Sequence, residues 1–493
     1  MSRNLFIKNT FILIISSLII KVLGLLNRIL LTRLLGHEGI SLYILSLPTI
    51  ILFISLCGFS LNTAVSKIVA MNTVSNKYTN KQILFQAFFL GTIASIISII
   101  VLLIIINPLS NQWLRQPNTF YPILASSLFF PLVAYNNCLR GYFNGIKKVN
   151  LTAYASLVEQ IVRMIASVVF LYIFIDYGMV FAVTMTIIAM TVGELGSFVF
   201  ACISYFKIKR PKFKPLISQN PQNEILKIAL PQTASKLVGN LSYFFEPILY
   251  TSALTLIGFS AGQIRLLYSE YSAYAEGLLT MLSFVSASIA ISIIPHISES
   301  LALQNYTKIR FYIKKTLLAS ILPGIIFTVL LLFYAKEYMY LVYKTDLGVQ
   351  YVKQFAILFL ASYVISPLVS IMNTLGYSKE TFIWSTCFNI LKLILIFSLV
   401  FIPQINYYSL IIATSITLIL YTLVIYFRIK NIVYFKFTFS EKVNVLLLAV
   451  LSFFIVLFLR NVVKLHYLLV SIIALLIFVG SFILLKIFHL DHK

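Results

Sequence analysis

Ionisable side chains set inside long apolar runs are the residues of this chain whose type and spacing could do chemistry. Lys21 and Arg28 stand seven apart in the first run, residues 6–35, with Gly24 between them. Seven residues are about two helical turns, so both bases share one face. A Lys or Arg at the bilayer centre costs about 2.5–3.5 kcal/mol on insertion scales, and this run holds no acid near them. Such a basic stripe either lines a water-filled cavity, where it would neutralise an anionic group, or meets acids such as Glu270 and Glu276 of the eighth run, 265–294. The seventh run, 225–256, carries Lys236 and Asn240 on one face and then Glu246 directly before Pro247. That acid gates, binds a cation, or is structural. In the fifth run, 152–174, Glu159 and Arg163 are four apart with Gln160 beside them. The spacing lets them pair along their own helix; the other reading gives them a part in gating or coupling. The substrate-binding candidates are therefore Lys21, Arg28, Lys236, Asn240, Glu270 and Glu276. The gating or coupling candidates are Glu159, Arg163 and Glu246.

The remaining polar residues in the runs read more blandly. Glu194 and Lys392, the latter near Asn389, read as side chains near an interface that snorkel to water. Tyr268, Tyr271 and Tyr274 read as an interfacial belt. Cys57, Cys138, Cys202 and Cys387 lie far apart in apolar runs, with no disulfide or CxxC pattern, and read as small buried hydrophobes. His37, His296, His466, His489 and His492 sit at run ends or in tails, without metal-ligand spacing. No catalytic constellation and no Walker motif is present. The expectation is a protein that is not an enzyme, holds no metal or cofactor, and draws any energy from an ion gradient, the membrane potential or the gradient of its substrate.

The elements that must position these residues follow from composition. Of 493 residues, 60% are hydrophobic and 11% charged, against about 45–50% and 25% in soluble domains. Fourteen apolar runs can be counted, each near or above the ~20 residues a membrane helix needs, the second, seventh and eighth exceeding it so that they tilt, bend or extend beyond the bilayer. They are continuous rather than alternating, which excludes a transmembrane β-barrel, and no polar stretch is long enough for a soluble domain. The first run lacks a small-residue cleavage site behind it and reads as a retained helix. Pro48, Pro131, Pro231, Pro247 and Pro367 fall inside runs and mark expected kinks. The fold class is all-α, a polytopic membrane protein of about fourteen spans.

The net charge is +24. In a soluble protein that would suggest nucleic acid; here basic cytoplasmic loops or a basic cavity come first, and no nucleic acid partner is expected. Lys and Arg concentrate in alternate loops by about three to one. Arg140, Lys147 and Lys148 fall in one set and Arg115 in the other, which places both termini in the cytoplasm. The longest polar segment, 207–224, holds Lys207, Lys209, Arg210, Lys212 and Lys214. It separates six runs from six, with two left over. The expected division is 1–206, a basic linker 207–224, 225–430, and two further helices in 431–493. An internal repeat fits that divide. Gly145-Ile-Lys-Lys148 can be set against Gly376-Tyr-Ser-Lys379, and Lys21-Val-Leu-Gly24 against Lys236-Leu-Val-Gly239.

Four ordered stretches carry a resemblance: Leu34-Leu-Gly-His-Glu-Gly-Ile-Ser-Leu-Tyr43, Arg140-Gly-Tyr-Phe-Asn-Gly145, Glu159-Gln-Ile-Val-Arg163 and Pro295-His-Ile-Ser-Glu299. In that order and spacing the chain resembles the stage V sporulation protein B family of polysaccharide biosynthesis proteins. That family belongs to the multidrug/oligosaccharidyl-lipid/polysaccharide exporter superfamily and is related to the lipid II flippases. The resemblance covers the whole chain. It implies two six-helix bundles around a central cavity, two added helices, and export of a polyprenyl-pyrophosphate-linked glycan by alternating access across the bacterial cytoplasmic membrane. The first helix of the lipid II flippases reads Ser-Arg-Val-Leu-Gly-Phe-Ala-Arg-Asp, where this chain has Ile20-Lys-Val-Leu-Gly-Leu-Leu-Asn-Arg28. Their second helix reads Leu-Pro-Asn-Leu-Leu-Arg-Arg, and Leu47-Pro-Thr-Ile-Ile-Leu-Phe53 has neither arginine. A different undecaprenyl-linked glycan therefore stands beside lipid II as cargo. A basic cavity would neutralise the pyrophosphate while the tail stays in lipid. Two other readings remain open: a cation-coupled multidrug exporter of the same superfamily, and a membrane scaffold that recruits cell-envelope synthases and transports nothing.

Overall fold

A computed structural model describes residues 3–75, 77–208, 220–463 and 466–484. Among these the ordered elements are all helical. In chain order they are α1 Arg3–Gly58, α2 Leu61–Ser75, α3 Asn80–Pro108, α4 Phe120–Ala125, α5 Phe130–Gly145, α6 Val149–Phe174, α7 Met179–Lys207, α8 Gln222–Leu256 and α9 Ala261–Ser269. There follow α10 Glu276–Leu279, α11 Ser283–Ala302, α12 Tyr306–Tyr343, α13 Val349–Phe355, α14 Ala361–Thr374, α15 Ser378–Leu399, α16 Ser409–Val433, α17 Phe439–Asn461 and α18 Tyr467–Leu484. Two compact units result, residues 1–269 and 270–493. Most of the basic segment expected as a linker, 209–219, lies outside the described residues.

Among the described residues nine helices are long and apolar enough to cross a membrane, or eleven if each of two bent pairs is one span. This count covers the described residues only, and the fourteenth run, 467–487, ends beyond them; two features of the described helices also lower it below the expected fourteen. The first two runs form one helical stretch, Leu18–Asn72, bent at Gly36 (φ 61°). The helix of the seventh run, α8, carries Lys236, Asn240, Tyr243 and Glu246 and is too polar to count as a lipid-bathed span.

Several runs that read as single helices are broken. The second run is interrupted where Phe59 and Ser60 take positive φ. The fourth is split by a 3-10 turn, Ser126–Phe129, so Pro131 stands in the first turn of α5, where its missing N–H costs nothing. The eighth is split by a π-helical stretch, Glu270–Ala275, and by a bend of 55° before α11. The tenth is bent by 74° between α13 and α14, across a 3-10 turn at Leu358–Leu360. Breaks thus recur in the second and fourth runs of each half.

The short repeat motif recurs with a shift. After α5, Lys147 N–H bonds Asn144 O and Lys148 N–H bonds Phe143 O; after α14, Gly376 N–H bonds Asn373 O and Tyr377 N–H bonds Met372 O. Both are Schellman caps, with Lys147 (φ 63°) and Gly376 (φ 94°) in the left-handed position. Lys147, rather than Gly145, is therefore the counterpart of Gly376.

In the first unit α2, α3 and α5 pack around Leu61, Val65, Ile83, Leu139 and Phe143, and α6 lies along both α1 and α7. In the second, α11, α12, α14 and α16 enclose Ile297, Ile313, Leu368, Met372 and Ile425, and α17 and α18 pack on α12.

Candidate functional site

A close approach of α6 and α7 sets up an ion cluster in the first unit. A Cβ at Gly193 of α7 would stand 2.7 Å from Arg163 Cβ and 3.0 Å from Glu159 O, and one at Gly196 3.1 Å from Val162. The two glycines let α7 lie directly on α6, which brings Glu194 and Ser197 beside Glu159 and Arg163. Helix α5 adds Asn136 and Arg140, four apart and so on one face. Arg140 Nη2 donates to Glu159 Oε2 at 2.6 Å and to Ser197 Oγ at 2.7 Å. Arg163 Nη1 lies 3.5 Å from Glu159 Oε1, and its other terminal nitrogen donates to Gln160. Asn136 Nδ2 donates to Glu194 Oε2 at 2.6 Å and to Glu194 O at 2.9 Å.

The expected pair of Glu159 and Arg163 is present, but Glu159 has a closer partner in Arg140. Sequence reasoning had placed Arg140 among the loop bases, whereas its side chain is only 15% exposed. The four-residue spacing of Asn136 and Arg140 inside an apolar run was the signal that could have found it. Glu194 does not snorkel; Asn136 holds its carboxylate inside this cluster.

The basic stripe of α1 lies next to these groups. A Cβ at Gly24 would meet Gln160 Nε2 at 3.9 Å, and Gln160 is the residue Arg163 bonds. Asn27 is buried, and Lys21 and Arg28 are half-buried. Among the described residues no acid lies within 4 Å of Lys21. The second half of α1 meets α8 and α9. Asn240 donates to Ser55 Oγ, His37 Nε2 lies 3.0 Å from Ser269 Oγ, and Arg265 Nη2 lies 3.8 Å from Glu38 Oε1. The last two contacts flank the bend at Gly36 and were missed from sequence, because nothing in spacing ties residues more than 200 apart.

On α8, Lys236 is exposed together with Ala234, Ser235 and Gly239. Nothing stands within 4 Å of a Cβ built on Gly239, and no described acid lies within 4 Å of Lys236. Glu246 is buried, 5% exposed. Lys21, Arg28, Glu159, Arg163, Lys236, Asn240 and Glu246 therefore all belong to the first unit, and Glu270 and Glu276 to the second. Glu270 opens the π-helical stretch and Glu276 opens α10; both are half-buried.

The tyrosines before and between them correct the expected interfacial belt. Tyr268, Tyr271 and Tyr274 are at most 2% exposed. Tyr268 packs on Tyr250, Tyr271 on Tyr351, and Tyr274 edge-on to Tyr343 at 5.4 Å between centroids. Tyr268 lies at the end of α9, and Tyr271 and Tyr274 in the π-helical turn. Lys392 and Asn389 are half-buried on α15. Cys57 and Cys138 are buried, Cys202 partly so, and Cys387 is exposed, contrary to expectation for that one. The polar groups gathered in the first unit are bases, amides and hydroxyls together with the carboxylates of Glu159, Glu194 and Glu246.

The family model for polysaccharide biosynthesis proteins matches residues 6–301. Stage V sporulation protein B of Bacillus subtilis is 30% identical over 430 residues, which cover 86% of this chain and 83% of that protein. Lipid II flippase MurJ of Bacillus subtilis is 24% identical over 345 residues, covering 65% of this chain and 63% of that one. Among solved structures, lipid II flippase MurJ in an inward closed conformation superposes with a TM-score of 0.72 at 14% identity, covering 97% of this chain and 98% of that one. An inward-facing multidrug resistance MATE family transporter of the MOP superfamily gives 0.67 at 15% identity, covering 85% and 98%. The fold is thus shared with these multi-pass membrane proteins.

Proposed function

The chain belongs to the polysaccharide biosynthesis protein family, and from that premise we propose that it is a flippase for a polyprenyl-pyrophosphate-linked glycan. It carries this cargo across the cytoplasmic membrane by alternating access, with both termini in the cytoplasm. The observation that carries the reading is the pair Lys21 and Lys236. Each lies in a helix of an apolar membrane protein with no described acid within 4 Å. An unpaired lysine in hydrocarbon is costly, at about 2.5–3.5 kcal/mol, and a charge-assisted contact to phosphate offsets that cost. Arg28 adds a planar fork for a second phosphate oxygen. Asn27 and Asn240 supply amides for sugar hydroxyls. The buried Glu246 and the cluster of Arg140, Glu159, Arg163 and Glu194 supply fixed charge beside the path, where coupling to an ion would act.

The test is flipping of a panel of fluorescent polyprenyl-pyrophosphate sugars in proteoliposomes. Lys21→Ala with Lys236→Ala should insert and melt like the parent while flipping falls at least about tenfold, the loss expected for one charge-assisted contact. Unchanged flipping by the double variant would overturn the assignment of these lysines. Transport of cationic dyes, with no glycan flipped, would favour the multidrug reading.

A further inference from the structure

Away from the residues assigned to transport, the second unit holds two adjoining cavities of opposite character. One, of about 520 Å³, is lined by Thr307, Arg310, Lys314 and Lys315 of α12, by Lys436 in the turn between α16 and α17, and by Glu441 of α17. The other, of about 630 Å³, is a groove between α12, α14, α16 and α17, walled by residues such as Leu317, Ile321, Val364, Tyr426, Val445 and Ala449. Glu441 lines both and marks where they meet.

The local structure builds this junction. Tyr434 takes a left-handed conformation (φ 50°) and ends α16. The chain then turns sharply and buries Phe435 in the core, while Lys436 stays exposed. Thr438 and Glu441 form a capping box that starts α17. Glu441 is held by Lys314 Nζ at 2.8 Å, and Arg310 Nε donates to Val433 O at 2.9 Å. Lys314, Lys315 and Lys436 lie over the rings of Phe437, Phe311 and Tyr434. Among the described residues lining this cavity four bases stand with one acid, and that acid is already engaged. The excess positive charge sits at the ends of membrane helices, directly above an apolar slot. Helix α17 turns Leu446, Leu447, Leu451 and Phe454 outward, so the slot's outer wall has the character of a lipid-facing surface.

We propose that this paired cavity is a binding site for an anionic glycerophospholipid of the host bilayer. Arg310, Lys315 and Lys436 hold its phosphate and the groove takes the first part of its acyl chains. Charge complementarity selects the head, since a basic pocket at a helix end attracts anionic lipid, and apolar burial selects the tail. A soluble anion would gain nothing from the groove, a lipid without a phosphate nothing from the bases, and a zwitterionic lipid would bring its own cation against them. The site is complete within one unit and shares no residue with the proposed substrate path. Bound there, the lipid would brace α17 against α12.

The test uses the full-length protein in phosphatidylcholine nanodiscs, with phosphatidylglycerol, diacylglycerol or undecaprenyl pyrophosphate added in turn and melting followed. Phosphatidylglycerol should raise Tm in a saturable way and diacylglycerol should not. Each base removed should weaken the apparent affinity about fivefold, so Arg310→Gln, Lys315→Gln and Lys436→Gln together should weaken it about a hundredfold. Lys314 is left in place because it holds Glu441. Lys436→Gln alone changes an exposed side chain and should still give its fivefold shift if the triple variant proves too unstable. Ala449→Phe, which fills the groove, should also reduce the phosphatidylglycerol effect. Full retention of that effect in Lys436→Gln and Ala449→Phe would overturn the proposal. So would protection by undecaprenyl pyrophosphate without protection by phosphatidylglycerol, since the site would then serve the cargo. Neither result depends on whether the protein flips a glycan, so failure here leaves the transport reading standing.

Discussion

At Glu159 one carboxylate serves two guanidinium groups, Arg140 at 2.6 Å and Arg163 at 3.5 Å. Spacing alone disclosed only the second, because an i,i+4 pair is local whereas Arg140 arrives from another helix through the close approach of α5, α6 and α7. The difference changes what mutation should do. Removing the charge of Glu159 leaves two bases with Glu194 as the remaining acid of the cluster, and a base without compensation is worse than having neither charge. Glu159→Gln is therefore expected to lose about 2 kcal/mol, below the range for fully buried pairs because these side chains are partly exposed. Glu159→Gln with Arg140→Met should recover most of that, since it removes the nearer uncompensated charge. Glu159→Gln with Arg163→Met should recover less. Detergent-solubilised Tm values of the three variants decide the matter. If the Arg163 double variant recovers more than the Arg140 one, the local pair governs and the cluster is secondary. Glu194 was misread for the same reason: a side chain that looks stranded on its own helix is held by Asn136 from its neighbour.

Among the elements, the apolar runs were legible because hydrocarbon demands continuous apolar length, and nearly every run is helical. Their breaks were not legible. Pro48 lies inside α1 while the non-helical residue is Gly36; directly after Gly58 the positive φ falls on Phe59 and Ser60 rather than on the glycine. Such breaks are set by what the helix meets, as the junction of the π-helical stretch with α13 illustrates. Gly348 has φ 79°, and a Cβ there would lie 2.8 Å from Glu270 O. Two penalties coincide: left-handed backbone, which costs an L residue roughly 1–2 kcal/mol, and a contact with a carbonyl that cannot move aside without distorting the turn that carries Glu270. Gly348→Ala should thus lower stability by about 2 kcal/mol or more. Gly239→Ala offers the contrast, because its surroundings are open and Ala is the better helix former by about 1 kcal/mol. It should leave Tm unchanged or raise it. Equal melting of Gly348→Ala and the parent protein would show that the 270–275 stretch yields easily and does not fix Glu270.

For the whole molecule, composition sufficed to identify a multi-pass membrane protein, and its orientation rests on the distribution of Lys and Arg. One member of that distribution was misassigned, since Arg140 is inside α5. The expected cytoplasmic placement of the turn after α5 now rests on Lys147 and Lys148. Residues 115 and 147 bracket a stretch long and apolar enough to cross a membrane once, Pro117–Gly145; a single crossing would put them on opposite sides of the bilayer, and both are exposed. That geometry makes one pair of positions a complete test. In a background with Cys57, Cys138, Cys202 and Cys387 replaced by alanine, Arg115→Cys should react with a membrane-impermeant maleimide in intact cells. Lys147→Cys should react only after permeabilisation. Both native residues already carry a Cβ at positive φ, 52° and 63°, so cysteine adds no backbone strain and either variant should fold. Labelling of position 147 but not 115 in intact cells would invert the topology. It would also move the basic pocket of Arg310, Lys315 and Lys436 and both termini to the outer face, where the positive-inside bias gives no reason for them to be.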